Sequence, residues 1–194
     1  MKIAQVAPLY ESVPPKNYGG TERVVSYLTE ELVRLGHEVT LYASGDSETK
    51  ARLRSICPRS LRLDKHNIDT VADHVYLSEK IFSESEHFDI VHSHIDYIAY
   101  PLYRRMATPH VTTLHGRLDI PNLVNLYLEF DDIPVVSISN YQRTPLSWAN
   151  WVDTIYHGLP ENLYDFNEKG GDYLAFIGRI CPEKKPDVAI QIAK

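Results

Sequence analysis

Arg179 and Lys184, on one loop with four residues between them, are the side chains in this sequence whose types and spacing best suit group transfer. A guanidinium fork and an ammonium held on one loop can neutralise a diphosphate as it departs. Removing one donor from such an electrostatic clamp typically costs about two to three powers of ten in rate. A solvated charge pair is the competing reading. Gly19-Gly20, preceded by Tyr18, lies between an apolar run and a helical pattern. There the backbone can approach an anion and a helix N-terminus offers free amides, although a glycine pair is also an ordinary turn. His115-Gly116 follows another apolar run, and open α/β sheets hold ligands at the C-terminal ends of strands. His92 and His94 share one face of a third run, with Asp96 just beyond. His92 reads as a hydrogen-bonded core residue, and His94 with Asp96 as lining for a ligand cleft. No third ligand with metal-site spacing accompanies the two histidines. Ser137 and Ser139 lack a G-x-S-x-G nucleophile elbow.

Alternating strand and helix patterns must position these groups, and they predict a parallel α/β sheet. Strands are expected at 3–7, 39–43, 89–93, 111–114, 135–138 and 154–156. Helices are expected at 21–35, 71–86, 97–106, 123–130 and 141–150. In the first helix Val24, Leu28, Leu32 and Leu35 recur at three- and four-residue intervals, as a buried stripe would, and Gly36 supplies the left-handed stop. Residues 44–67 read as an irregular excursion. A Gly-, Pro- and Asn-rich stretch from Gly158 to Asp172 has the composition of a linker. The expected division is therefore 1–168 for the first domain and 169–194 for the start of a second. The second would open with a strand at Tyr173–Gly178, then the Arg179/Lys184 loop and a helix, and further parallel strands are needed to complete it.

Composition narrows the function. A balance of 43% hydrophobic and 24% charged residues is that of an ordinary globular protein, and a net charge of −6 argues against general nucleic-acid binding. The basic residues Lys50, Arg52, Arg54, Arg59 and Arg62 read as a solvated face and leave peripheral contact with an anionic lipid surface open. Cys57 and Cys181 have no metal-type spacing, and the N-terminus has no signal-peptide pattern, so the expected compartment is the cytoplasm.

Several segments, in order, carry a resemblance. Lys2-Ile-Ala-Gln-Val-Ala-Pro8, Tyr18-Gly-Gly-Thr-Glu-Arg23, Gly36-His-Glu-Val39, Asp89-Ile-Val-His-Ser-His94, Thr113-Leu-His-Gly116, Val136-Ser-Ile-Ser139 and the Gly178-Arg179…Pro182-Glu-Lys184 loop span nearly the whole chain. Together they resemble glycosyltransferases of the GT-B fold, the large retaining family 4 in particular. The resemblance implies a Rossmann-like parallel sheet with helices on both faces as the N-terminal half of a GT-B fold, and a truncated second Rossmann-like domain. It implies transfer of a sugar from a nucleotide diphosphate sugar to an acceptor hydroxyl, with no metal and no cofactor beyond that co-substrate. In its terms Gly19, Gly20, Arg179 and Lys184 bind donor phosphate. His115 acts near the donor sugar, and Tyr18, His94, Asp96 and Gly116 line the acceptor side. The family's Glu-x7-Glu segment would follow Lys194, so this segment alone is expected to be inactive. Two positions depart from the pattern: Lys185 stands where glycine is frequent, and His157 where asparagine is frequent. An epimerase or phosphorylase of the same fold, or a truncated module binding a ligand or partner, are the alternatives. An unpaired C-terminal strand would also offer an edge for homodimerisation.

Overall fold

The computed structural model describes residues Met1 to Lys194 and divides into two compact units, Met1–Pro160 and Glu161–Lys194. The expected division stood eight residues later, after 168.

In the first unit seven strands form one parallel sheet. They are β1 (Lys2–Val6), β2 (Glu38–Ala43), β3 (Arg52–Ser55), β4 (Ile90–Ser93), β5 (His110–Thr113), β6 (Val135–Ser137) and β7 (Trp151–Thr154). Their spatial order is β3-β2-β1-β4-β5-β6-β7. From β1 the chain builds outward to β3 and then returns to lay β4 on the other side of β1. The strand order therefore reverses between β1 and β4, and a crevice opens there at the C-terminal ends.

Alternation along each strand sorts side chains onto two faces. Ala4, Val6, Tyr42, Val91 and Val135 join a large core with α2 (Thr70–Glu84), α3 (Tyr100–Tyr103) and α4 (Pro121–Glu129). Leu77 and Ile81 of α2 are fully buried there, each contributing about 1.5–3 kcal/mol. On the opposite face Leu41 and Ala43 pack with Ala7, Val13 and Val25 of α1 (Gly20–Arg34). That same face carries Gln5, a fully buried polar residue in the middle of β1.

Several expectations need correction. The inner stripe of α1 is Glu22, Val25, Ser26 and Thr29, and Leu35 is exposed. The helix is turned about its axis so that short side chains face the sheet and Glu22 faces the crevice end. Gly36 does end it, with φ +87° and the His37 amide bonded to the Leu32 carbonyl at 3.1 Å. β3 was expected to be irregular. It is an edge strand paired with β2 alone, where charged side chains such as Arg52 and Arg54 face water. Only Tyr100–Tyr103 of the expected 97–106 segment is helical, because residues 95–99 are occupied by a turn through Asp96. Of 141–150 only a 3₁₀ turn at Thr144–Leu146 forms, and the last strand lies three residues earlier than expected.

In the second unit, residues 173–178 form no strand. No other strand lies within Glu161–Lys194, and an extended segment has no ladder to join without one. The edge invoked for homodimerisation is therefore not formed. A 3₁₀ turn at Pro182–Lys184 leads into α5 (Pro186–Ile192).

Candidate functional site

The crevice at the β1/β4 reversal is a cleft of about 540 Å³, within the usual range for small-ligand sites. It is built from the loops that follow β1, β4 and β5. Tyr18, Gly19 and Gly20 come from the first, His94 and Asp96 from the second, His115 and Gly116 from the third. All seven site residues expected in the first unit thus share one cleft, joined by Glu22, Arg62, His74 and His157.

The two glycines do different work. A Cβ on Gly19 would stand 2.7 Å from Pro15 Cβ and 3.0 Å from Glu22 Oε2, so this position is bare because the loop folds against it. A Cβ on Gly20 would meet nothing within 4 Å, which leaves the first turn of α1 open to a ligand. No side chain caps that helix, and its first-turn amides carry the partial positive charge of a helix start.

Behind the cleft wall runs a series of imidazoles. His94 Nδ1 lies 2.9 Å from His115 Nε2, and His94 Nε2 lies 3.0 Å from Gln5 Oε1. His92 Nδ1 is 3.3 Å from Gln5 Nε2, and His92 Nε2 is 2.8 Å from Thr113 Oγ1. The register makes this contact: Gln5 stands beside His92 in the β1/β4 ladder, and His94 continues the same face. His92 is thus hydrogen-bonded through both ring nitrogens as the sequence suggested, but it is half-buried rather than a core residue. His94 is buried with both ring nitrogens engaged, so it supports His115 from behind. His115 is stacked on His157, ring centroids 5.2 Å apart and 17° between planes, and its Nδ1 is buried without a hydrogen-bond partner.

Burial sets the charge state of these groups. Desolvation lowers His92 to about 4 and His115 to about 3, the latter with further repulsion from His157 and His92. His94 is pushed well down by the same cause. All three are neutral at pH 7. Asp96 is raised to about 6 by burial, with the His115 backbone amide pulling the other way. Its φ of +51° is a left-handed conformation that Asp tolerates better than most residues, and it directs the turn that brings a titratable carboxyl into the cleft. No three His, Cys, Asp or Glu side chains are grouped to hold a metal ion.

Sequence reasoning missed Gln5 and Arg62. A glutamine inside a buried parallel strand beside His-x-His was the available signal for the first. Arg62, read as part of a solvated basic face, lines the cleft and pairs through Nη1 with buried Glu11 Oε1 at 2.7 Å. The same Nη1 donates to the Tyr18 carbonyl at 3.1 Å. No sequence signal marks that role.

In the second unit Arg179 Nη2 pairs with Glu183 Oε1 at 2.7 Å, and Lys184 closes the adjoining 3₁₀ turn. Lys185 has φ +47°, which accounts for the glycine frequent at this position in the resembling family.

A parallel sheet carrying a ligand cleft at its reversal point, with a glycine loop on one side and strand-end histidines on the other, has the fold of the N-terminal domain of a GT-B glycosyltransferase. Residues 18–158 match the family model described as Glycosyltransferase Family 4, and the chain belongs to that family. Among solved structures it is similar to a glycosyltransferase from Rickettsia africae ESF-5, at 20% identity and a TM-score of 0.50 over 78% of this chain and 42% of that one. It is also similar to AviGT4, a glycosyltransferase involved in avilamycin A biosynthesis, at 24% identity and a TM-score of 0.47 over 75% of this chain and 38% of that one. MurG of Acinetobacter baumannii gives 10% identity and a TM-score of 0.47 over 82% of this chain and 46% of that one. The chain spans less than half the length of each of these three. No curated protein sequence matches it. No helix is long and apolar enough to cross a membrane.

Proposed function

We propose that this chain is the acceptor-side part of a retaining glycosyltransferase that moves a sugar from a nucleotide diphosphate sugar to an acceptor hydroxyl in the cytoplasm. The observation that carries the reading is the shared cleft: an open glycine loop at a helix start, a half-buried neutral histidine and a raised carboxyl meet at the strand reversal. Each has a part in such a reaction. The Gly19-Gly20 loop and the α1 N-terminus favour a phosphate, and Arg179 and Lys184 neutralise the departing diphosphate. His115, neutral at working pH, holds a hydroxyl by hydrogen bonding and shape. Asp96 and Tyr18 orient the acceptor, with Gly116 leaving room beside the Asp96 carboxyl. His94 acts through His115. The leaving phosphate takes the acceptor proton on the face it departs from, so the anomeric configuration is kept and neither a metal nor a further cofactor is required.

Transfer is assigned to the full-length gene product, because this chain covers under half of the structures it matches. The test is substitution of His115 and Arg179 in that product, followed by measurement of acceptor-dependent nucleoside diphosphate release. Loss of about two or more powers of ten for Arg179→Ala, with folding intact, supports the assignment. Unchanged release in both variants refutes it.

A further inference from the structure

The histidines behind the cleft form one continuous hydrogen-bonded line: Thr113, His92, Gln5, His94, His115. Each neutral imidazole has one N–H and one lone pair, so a choice made at any member propagates to the next. Gln5 is the member that sets the direction, since its carbonyl can only accept and its amide can only donate. The Oε1 atom faces His94 Nε2 and the Nε2 atom faces His92 Nδ1. His94 must then carry its proton on Nε2 and accept at Nδ1, which requires His115 to donate from Nε2. On the other side His92 accepts at Nδ1 and donates from Nε2 to the Thr113 hydroxyl.

We propose that Gln5 is a positioning residue that fixes the tautomer of His115 through His94, so that His115 presents a bare Nδ1 lone pair at the cleft wall. The opposite direction would leave an N–H at that atom, which is buried with no partner, and an orphaned buried donor is rarer and costlier than an unused lone pair. The suppressed basicity of the three rings agrees, because a cationic member would have two donors and break the line. The consequence for recognition is chemical. A group that engages His115 Nδ1 must bring a proton donor, as a sugar hydroxyl does, and a carbonyl or phosphate oxygen is disfavoured there. That consequence rests on the glycosyl-transfer reading; the direction of the line does not. Because Nδ1 is buried, such a donor reaches it only when a neighbouring group shifts.

Long-range proton–nitrogen correlation spectra of isotope-labelled residues 1–194 at neutral pH read each ring directly, because protonated and bare imidazole nitrogens are widely separated in shift. The expected spectrum has His92, His94 and His115 all protonated at Nε2. Protonation of His115 at Nδ1, or averaging between the two tautomers, overturns the proposal. Gln5→Glu supplies a second reading. A carboxylate still accepts from His94 but donates nothing to His92, so His92 alone is expected to move its proton to Nδ1. A switch at His115, or no change at His92, contradicts the assignment. Folding of the variant is read from its amide spectrum, and the wild-type spectrum decides the question even if the variant does not fold. Neither spectrum involves a sugar nucleotide, so failure of the transfer reading and failure of this one are separable.

Discussion

Acidification should unfold the first unit unusually early, and the size of the effect follows from the buried imidazoles. A histidine whose folded pKa is depressed contributes stability that is fully present above its unfolded value, near 6.5, and is lost as pH falls toward the folded value. At about pH 5 the unfolded chain protonates His92 and His115 almost completely while the folded chain does not, a difference of about two protons, and His94, pushed down by the same cause, adds in the same direction. Asp96 acts in the opposite sense. Its raised carboxyl binds a proton in the folded state that the unfolded chain lacks between about pH 4 and 6, so it stabilises at lower pH by about one proton's worth. Integration from about pH 7 to 5 gives a loss near 2 kcal/mol for each of His92 and His115 and a gain near 1 kcal/mol from Asp96, a net loss of about 3 kcal/mol. His74 and His110, also lowered by burial, add to the loss. Against a total stability of about 5–15 kcal/mol this is a large fraction. Urea unfolding followed by circular dichroism at the two pH values should show the midpoint falling by roughly 1.5 M, for a slope of about 2 kcal/mol per molar. His92→Gln should remove about 2 kcal/mol of this pH dependence, whatever it does to stability at pH 7. A midpoint that moves by less than about 0.5 M would refute the claim that these rings are neutral by burial.

Other consequences are sharper in direction than in size. Gly19→Ala should lower stability by about 1–3 kcal/mol because its Cβ meets Pro15, whereas Gly20→Ala, with open space around it, should leave the melting temperature within a degree or two of wild type; equal losses would contradict this difference. Arg62→Ala strands the buried Glu11 carboxylate and should cost about 1–3 kcal/mol, discounted because Arg62 itself is half exposed. A double-mutant cycle with Glu11→Gln checks whether the two residues are coupled. Cys57 is buried, with its thiol pushed up to about 11, while Cys181 is partly exposed. A maleimide should therefore label one thiol rapidly and the second only in denaturant, and rapid labelling of Cys57 in the native chain would show that the loop around it opens.

Legibility from sequence followed the range of the interactions involved. β1, β4 and β5 were legible as short stretches holding Ile3, Val6, Ile90, Val91, Val111 and the β-branched Thr112 and Thr113 between helical patterns, and their C-terminal ends placed His94, Asp96, His115 and Gly116 in advance. β3 escaped notice because an edge strand tolerates charge, so Arg52 and Arg54 erased the apolar signal. The opposite error came at 173–178, where a local apolar pattern implied a strand for which its unit holds no partner. The inner face of α1 was misjudged because Ser26 and Thr29 carry no hydrophobic signal, although they are the residues that fit against the sheet. Gln5 and Arg62 were unreadable for a further reason. Their partners lie 87 and 51 residues away, and only the β1/β4 register and the fold of the β3–α2 connection bring them together.

The central claim, that this cleft belongs to a sugar-transferring enzyme, is tested most directly by incubating the full-length gene product with nucleotide diphosphate sugars and a library of hydroxyl acceptors, and following the anomeric signal of the product by NMR. The expected result is nucleoside diphosphate release that requires an acceptor, with the donor's anomeric configuration retained in the product and the reaction lost in His115→Ala. Donor epimerisation or hydrolysis with no acceptor present, or an inverted product, would contradict it.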